Sequence, residues 1–453
     1  MCDTFVATPD CTENQKMIFG KNSDREPNEA QAILRIPARE RSEKTVRCTY
    51  ISIPQAKYTY EVILSKPFWM WGAEMGINEN GLALGNEAVF TKIKIPNLDK
   101  PKPSRISIKD NGLSGMDLLR LALERTDTSE KAIELITNLL QTYGQDANGG
   151  YTKKFYYHNS FIIADPKNAW VLETVDKHWV AKKINIYYPI SNRLTIGSDY
   201  DLSSDGLEDF AVQHKLLKRG NKLNFRKAFS DRFYTYMSKS KMRHRALLNS
   251  APPSGEFKLN HAIDLLTSHY KNDHFSPRKN YGGGSVCMHA NGFPNPMHTA
   301  GSMIAEIGNN RNTIWLTGTS NPCLSVYKPF FFRHKTLETS YFKEPGKTAD
   351  DSLWWRAERF HRKVMANYQI RRQQFHDDRI SLQKDIIHEL KALMRENSSS
   401  KALEEYSEKT LNTHFEKISE WEDLVNKTSF GNRLHFLYRN YWKKLNKKAG
   451  IQL

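Results

Sequence analysis

The sequence predicts an α+β fold, sheets whose outer faces carry helices, with a helical region added at the C-terminal end. Three observations predict it. Short β-prone runs fill the chain up to Val89, a pair of amphipathic helices follows, and strands then resume. Beyond about residue 348 the pattern is helical to the end.

Thr4–Ala7 and Met17–Gly20 read as two short strands around a polar turn, Pro9 to Gln15. Cys48–Ile53 and Tyr58–Ser65 are further strand candidates, followed by a Trp-rich run at 68–72. Gly76–Gly81 is turn chemistry, and Leu82–Val89 a strand. Residues 92–112, rich in Lys and Pro, read as an exposed loop. Ser114 caps one helix to about Arg125, and Asp127 or Thr128 a second to about Tyr143. The second places Ile133, Ile136 and Leu140 on one face, which suits packing against a sheet. Strands resume at Ser160–Asp165, Ala169–Thr174 and His178–Lys183. Residues about 204–250 read as a helical basic insertion. Ser285–His289, Thr299–Ile304 and Thr313–Leu316 are the last strands expected, and Asn397–Ser400 breaks the C-terminal helices. The expected division is a catalytic domain over 2–340 and a helical region over 348–453.

Hydrophobic residues make up 39% of the 453, enough for a packed core and against global disorder. No stretch approaches the ~20 apolar residues of a membrane span. The opening residues lack the basic and apolar regions of a secretory signal, so the expected compartment is the cytoplasm. Five scattered cysteines form neither a disulfide framework nor a CxxC pair, and Cys11, Cys48, Cys287 and Cys323 read as small buried apolar residues. The net charge of +17 suits polyanions, but it concentrates in 215–245 and the C-terminal helices, with no nucleic-acid motif. A solvated basic face is the expectation, with no specific nucleic-acid partner. No GxGxxG, Walker or HExxH spacing is present, so neither a nucleotide cofactor nor a metal is expected.

Cys2 is the candidate nucleophile, although a small residue at position 2 also fits removal of Met1 without any chemistry. With Met1 removed, one residue holds a thiol nucleophile and an α-amine base, with reference pKa values of about 8.5 and about 7.7–8.0. Two antiparallel strands would bring Lys21 and Asp24 of the Lys21-Asn22-Ser23-Asp24-Arg25 run back beside that terminus. There a cation favours thiolate and a carboxylate holds the ammonium. Nothing in the sequence fixes His158 or His289 beside a cysteine, and Glu173 reads as a strand-end support. Trp69 and Trp71 suit either a substrate pocket or core packing.

The residues FGKNSDR at 19–25, RCTYISI at 47–53 and WGAEMGINENGLALGNEA at 71–88 resemble the dipeptidase A and secernin family of cysteine N-terminal nucleophile (Ntn) hydrolases, most closely the secernins. GMDLLRLALER, AWVLET, SNRLTIG and TGTSNPCLSVYKPFFF continue the resemblance in order to about residue 335. It implies a four-layer αββα sandwich with a helical C-terminal extension. It makes Cys2 the nucleophile and places Asp24 near the α-amine. It assigns Asn86 and Asn192 to an oxyanion donor or to orientation of the amine, and puts Lys21 where relatives carry arginine. Lysine cannot make the forked carboxylate contact of arginine, so a different substrate selection is expected. Lys21 and Trp71 are the expected substrate contacts. Secernins commonly carry a short segment before the cysteine, whereas here only Met1 precedes it. The implied activity is hydrolysis of small peptides through a thioester at Cys2. The alternatives are an acylase on non-peptide amides and a non-catalytic regulator of exocytosis, and a homo-oligomer is possible.

Overall fold

β1 (Cys2–Ala7) and β2 (Met17–Arg25) are buried along their whole length, so sheet and helix must cover both faces. In the computed structural model, which describes residues 1–95, 112–270, 275–278, 282–292, 295–309, 311–428 and 436–452, they lie inside a six-stranded sheet. Its order is Tyr188–Ser191, β1, β2, His298–Ile307, Thr313–Leu316 and Lys328–Phe330. An eight-stranded sheet runs Leu202–Ser203, His178–Ile184, Ala169–Val175, His158–Ala164, Ala83–Val89, Met75–Asn78, Val62–Pro67 and Gln31–Ile36. Every pairing in both sheets is antiparallel.

The two sheets stack face to face. Gly85 lets them come close: a Cβ there would come within 2.6 Å of Lys21 Cδ and 2.9 Å of Phe19 Cζ. Alternation along β1 turns Cys2 and Thr4 toward the eight-stranded sheet, where they meet Glu74 and Glu87. Asp3 and Phe5 turn the other way, to Arg243 and to the Tyr187 and Phe257 rings.

Helices complete the outer layers. α1 (Gly115–Arg125) starts from a capping box in which Ser114 and Asp117 each accept the other's backbone N–H at 3.0 Å. α2 (Ser129–Tyr143) starts from Thr128. Their apolar faces join Leu84, Phe161, Ile163 and Leu172 on the outer side of the eight-stranded sheet. Over the six-stranded sheet lie helices Ser240–Asn249, Leu259–Thr267 and Ser400–Asn426, the last with Leu353–Ala366 against it. The result is a four-layer αββα sandwich extended by C-terminal helices. Those helices share the main core: Phe360, Leu403 and Trp421 belong to one apolar cluster with Phe19 and Ile304. No described helix is long and apolar enough to cross a membrane.

Several local expectations change. Cys48–Ile51 is a tight turn, closed by Cys48 N–H on the Ile51 carbonyl, between the short strands Thr45–Arg47 and Ser52–Pro54. The turn expected over 76–81 begins only at Asn78, because Gly76 and Ile77 pair on both sides within the sheet. Ser285–His289 is no strand: Cys287 N–H bonds the Ser268 carbonyl instead of a ladder neighbour. Most of the loop expected at 92–112 lies outside the described residues. The basic segment 204–250 is helical but no surface appendage, since its Arg243 is wholly buried against β1. In the C-terminal helices Arg362, Arg371 and Arg379 are likewise buried rather than turned outward.

Candidate active site

Cys2 pairs with Ser23, so the ladder carries Asp24 just past the start of β1. Met1 extends it: its ammonium donates to the Asp24 carbonyl at 2.8 Å, and Asp24 N–H to the Met1 carbonyl at 2.8 Å. Cys2 Sγ donates to Glu74 Oε2 at 3.4 Å. Glu74 also accepts from Ser23 Oγ at 3.0 Å and pairs with Arg25 at 3.1 Å. Burial opposes the charge on Glu74, but Arg25 and Lys21 hold its carboxyl below the usual range. Burial, reinforced by Glu74 and Glu87 and opposed by Lys21, pushes the Cys2 thiol up to about 12. With Met1 in place the thiol is therefore un-ionised near neutral pH.

The Cys2 nitrogen is held by Asn192, which is itself anchored. Its N–H donates to Asn192 Oδ1 at 2.9 Å, while the Asn192 amide donates to the Ala88 carbonyl at 3.0 Å. Asn192 thus sits where its Oδ1 orients the nitrogen, while one N–H of its amide is spent on Ala88. Arg243 donates to the Cys2 carbonyl at 3.0 Å, to Asp3 at 2.6 Å and to Asn192 Oδ1 at 2.8 Å. Asp24 accepts from Thr299 Oγ1 at 2.7 Å and lies 3.8 Å from Arg243. A bulge between Thr299 and Gly301, opposite Asp24 and Ser23, aims that hydroxyl. Burial pushes Asp24 up to about 7, against the pull of the chain's ammonium and Arg243. Glu173 accepts from Thr195 N–H at 2.6 Å and Ile196 N–H at 3.1 Å, fixing the turn that follows Asn192.

Three expected contacts are placed differently. Lys21 is not available to substrate: it is fully buried, and Nζ donates to the Asn86 carbonyl at 2.8 Å and pairs with Glu87 at 3.3 Å. It acts between the sheets, as a buried cation near the thiol. Trp71 is not in the cleft; its ring lies on the helical side of the eight-stranded sheet with the Arg120 guanidinium 4.0 Å from its centre. Asn86 does line the cleft, but its NH2 is engaged by Asn159 Oδ1 at 3.1 Å and Met116 Sδ at 3.4 Å. Its buried Oδ1 meets no donor. With one N–H anchored on Asn159, an oxyanion role falls to the other, which meets only the weak thioether acceptor of Met116.

The cleft over Cys2 holds about 300 Å³. Its walls include Glu26, Glu29, Tyr157, Lys153 and Met297, and Met1 stands among them. Glu29 is neutralised by Arg25 at 2.5 Å and accepts from Trp69 Nε1 at 2.7 Å. Glu26 is different: its carboxylate accepts from Thr152 Oγ1 at 2.6 Å and forms no ion pair among the described residues. Sequence reasoning missed Arg243 and Glu26. Arg243 hides among many lysines and arginines of a segment with no periodic face, whereas Glu26 adjoins the charged run that marked the site. His158 sits apart, against Thr91 Oγ1 at 2.9 Å, and burial lowers its pKa to about 4. Cys287, Cys323 and His289 lie together in the outer layer, 3.3–3.6 Å from sulfur to ring nitrogen, away from the cleft walls.

A probable dipeptidase B of Lactococcus lactis subsp. lactis (strain IL1403) is 28% identical over 192 residues, 40% of this chain. The match spans about a third of that relative, 35% of its length. Among solved structures, a mutant conjugated bile acid hydrolase from Clostridium perfringens aligns over 69% of this chain and 88% of its own, at 13% identity and a TM-score of 0.38. Penicillin V acylase from Agrobacterium tumefaciens aligns over 73% of this chain and 86% of its own, at 13% identity and a TM-score of 0.40. Peptidase family C69 itself matches from Cys2 onward, over residues 2–383, and the chain belongs to that family.

Proposed function

We propose that this chain hydrolyses amide bonds of small peptides by acyl transfer to the Cys2 thiol once Met1 has been removed. The observation that carries the reading is that Cys2 and Asp24 line one small cleft while Asn192 and Arg243, behind it, bond the Cys2 nitrogen and carbonyl. Removing Met1 turns the Cys2 nitrogen into an amine of reference pKa about 7.7–8.0, able to take the thiol proton. Asn192 Oδ1 would accept one N–H of that amine, leaving its lone pair for the thiol. Sulfur then attacks the substrate carbonyl carbon, the C–N bond breaks, and the leaving amine takes the proton. Water hydrolyses the thioester and restores the thiol.

Family membership supports amide hydrolysis as the reaction class. Two charged side chains of the cleft wall support a small zwitterion as substrate. The uncompensated Glu26 suits a substrate ammonium and the exposed Lys153 a carboxylate. The test pairs intact mass, reporting Met1 removal, with turnover of a dipeptide and N-acyl amino acid panel by wild type and Cys2→Ala. Dipeptide turnover by processed wild type alone is expected. Preference for N-acyl amino acids would favour an acylase, and equal turnover by both proteins would move the chemistry off Cys2. Silence of correctly processed protein across a broad panel would favour a non-catalytic regulator.

A further inference from the structure

We propose that His269, Cys287, His289 and Cys323 bind a structural zinc ion in the outer helical layer. No metal-ligand spacing along the chain predicts it. The four residues are spread over three segments without a CxxC pair: the end of helix Leu259–Thr267, the stretch 282–292, and the turn Pro322–Leu324. Folding brings one ligand atom from each to within 4.8 Å of all the others.

The spacing suits a metal better than hydrogen bonding. His289 Nε2 lies 3.2 Å from His269 Nε2, 3.6 Å from Cys287 Sγ and 3.3 Å from Cys323 Sγ. One ring nitrogen has a single proton or a single lone pair, so it can serve one of these three neighbours. A tetrahedral zinc with bonds of about 2.3 Å to sulfur and about 2.0–2.1 Å to nitrogen sets edges of about 3.3 Å between nitrogens and about 3.6 Å between nitrogen and sulfur. These three separations fall close to those edges, and the remaining ones stay within 4.8 Å.

Charge and burial agree. Cys287, His289 and Cys323 are buried to within 2% of full occlusion. Two thiolates balance a dication, so the assembled site adds no net charge to the interior. Two sulfurs and two imidazoles select zinc among the common divalent ions, and four protein ligands leave no open position for substrate. Tyr368 Oη, 3.5 Å from Cys323 Sγ, can donate to that thiolate.

The site also has a mechanical connection to the cleft. Met288, between two ligands, accepts the Thr299 N–H at 2.9 Å and donates to Thr299 Oγ1 at 2.9 Å. That hydroxyl donates to Asp24. A metal at 287 and 289 would fix the backbone that sets the Thr299–Asp24 contact.

The experiment measures metal by mass spectrometry in the full-length chain, purified reduced, and in Cys287→Ser/Cys323→Ser. One zinc per wild-type chain is expected, falling below about a tenth of that in the double variant. Because the variant can fail to fold, the chelated wild type is also titrated with cobalt(II). Visible bands of tetrahedral, thiolate-ligated cobalt, displaced by zinc, are expected. Wild type that holds no zinc and gives no such spectrum overturns the proposal. So does an intact mass lighter by two hydrogens with Cys287 and Cys323 joined in one peptide, which would make the pair a disulfide.

Discussion

Arg243 donates to Asn192 Oδ1 at 2.8 Å, the same oxygen that accepts the Cys2 N–H at 2.9 Å. Its other amino group reaches the Cys2 carbonyl and Asp3. One guanidinium thus fixes the carbonyl of the candidate nucleophile and the acceptor for its nitrogen. A lysine keeps the charge but loses the fork. Arg243→Lys is expected to lower kcat roughly 10–100-fold with little change in KM, and to shift the pH profile of kcat/KM as the Cys2 amine loses its orientation. Arg243→Ala also leaves Asp3 and Asp24 without their buried cation, a cost of about 3–5 kcal/mol in unfolding free energy. Steady-state kinetics and denaturant melts separate the two effects. Unchanged kinetics in a folded Arg243→Lys would end the positioning role.

Glu74 accepts the Cys2 thiol hydrogen bond, and its charge helps push that thiol up. Removing the charge lowers the barrier to ionisation. In processed protein, Glu74→Gln is expected to speed alkylation of Cys2 by iodoacetamide about tenfold near pH 7, the effect of about one pKa unit. Arg25 keeps Glu29 after the change, so the fold is expected to survive at reduced melting temperature. Slower labelling of a folded variant would show that Glu74 serves the thiol as an acceptor more than it opposes the thiolate.

The layered fold was legible because β-prone runs bounded by turn residues flank a helix pair with strong caps and one apolar face. Cys2, Asp24 and Asn192 were legible as candidates because each sits at a strand end inside a recognisable run. Lys21 and Trp71 were misplaced for a different reason. A sequence reports that a residue is near a site but not which face of a sheet it takes or how deep it lies. Burial between two sheets decided Lys21, and the Arg120 contact decided Trp71. The His and Cys cluster was invisible because its ligands are far apart in sequence and joined only by long-range packing.

Asp24 gives a stability signature with a definite sign. Its ordinary pKa is 3.8 and burial raises it to about 7. Between about pH 4 and pH 7 the unfolded chain has released this proton while the folded chain holds it. Stability contributed by the protonated form is therefore full below about pH 4 and lost as pH rises through about 7. Asp24→Asn resembles the protonated state at every pH. The melting temperature of the variant minus that of the parent is expected to be several degrees more positive at about pH 8 than at about pH 4.5. Both proteins are compared in the same N-terminal form, confirmed by intact mass. A difference independent of pH would mean that Asp24 is ionised in the fold throughout.

Gly115 opens α1 directly beneath the amide that holds Asn86. A Cβ at Gly115 would lie 1.9 Å from Asn159 Oδ1 and 2.4 Å from its Cγ, so Gly115→Ala must displace Asn159 or the helix start. Asn159 is the middle of an amide series: Gln145 Nε2 donates to the Asp176 carbonyl at 2.6 Å, Asn159 Nδ2 to Gln145 Oε1 at 2.9 Å, and Asn86 Nδ2 to Asn159 Oδ1 at 3.1 Å. The carbonyl at its far end can only accept, which sets the direction of every bond back to the cleft. Helix propensity alone would favour alanine by about 1 kcal/mol, so a loss of function must come from the clash. Gly115→Ala and Asn159→Ala are each expected to lower turnover roughly tenfold by releasing Asn86 from its place in the cleft wall. Because both act through the same bond, the double variant is expected to be no worse than the poorer single one. Kinetics of the four proteins read this directly. Additive losses would assign the two residues separate roles, and unchanged turnover in both single variants would show that the anchorage of Asn86 does not matter to the reaction.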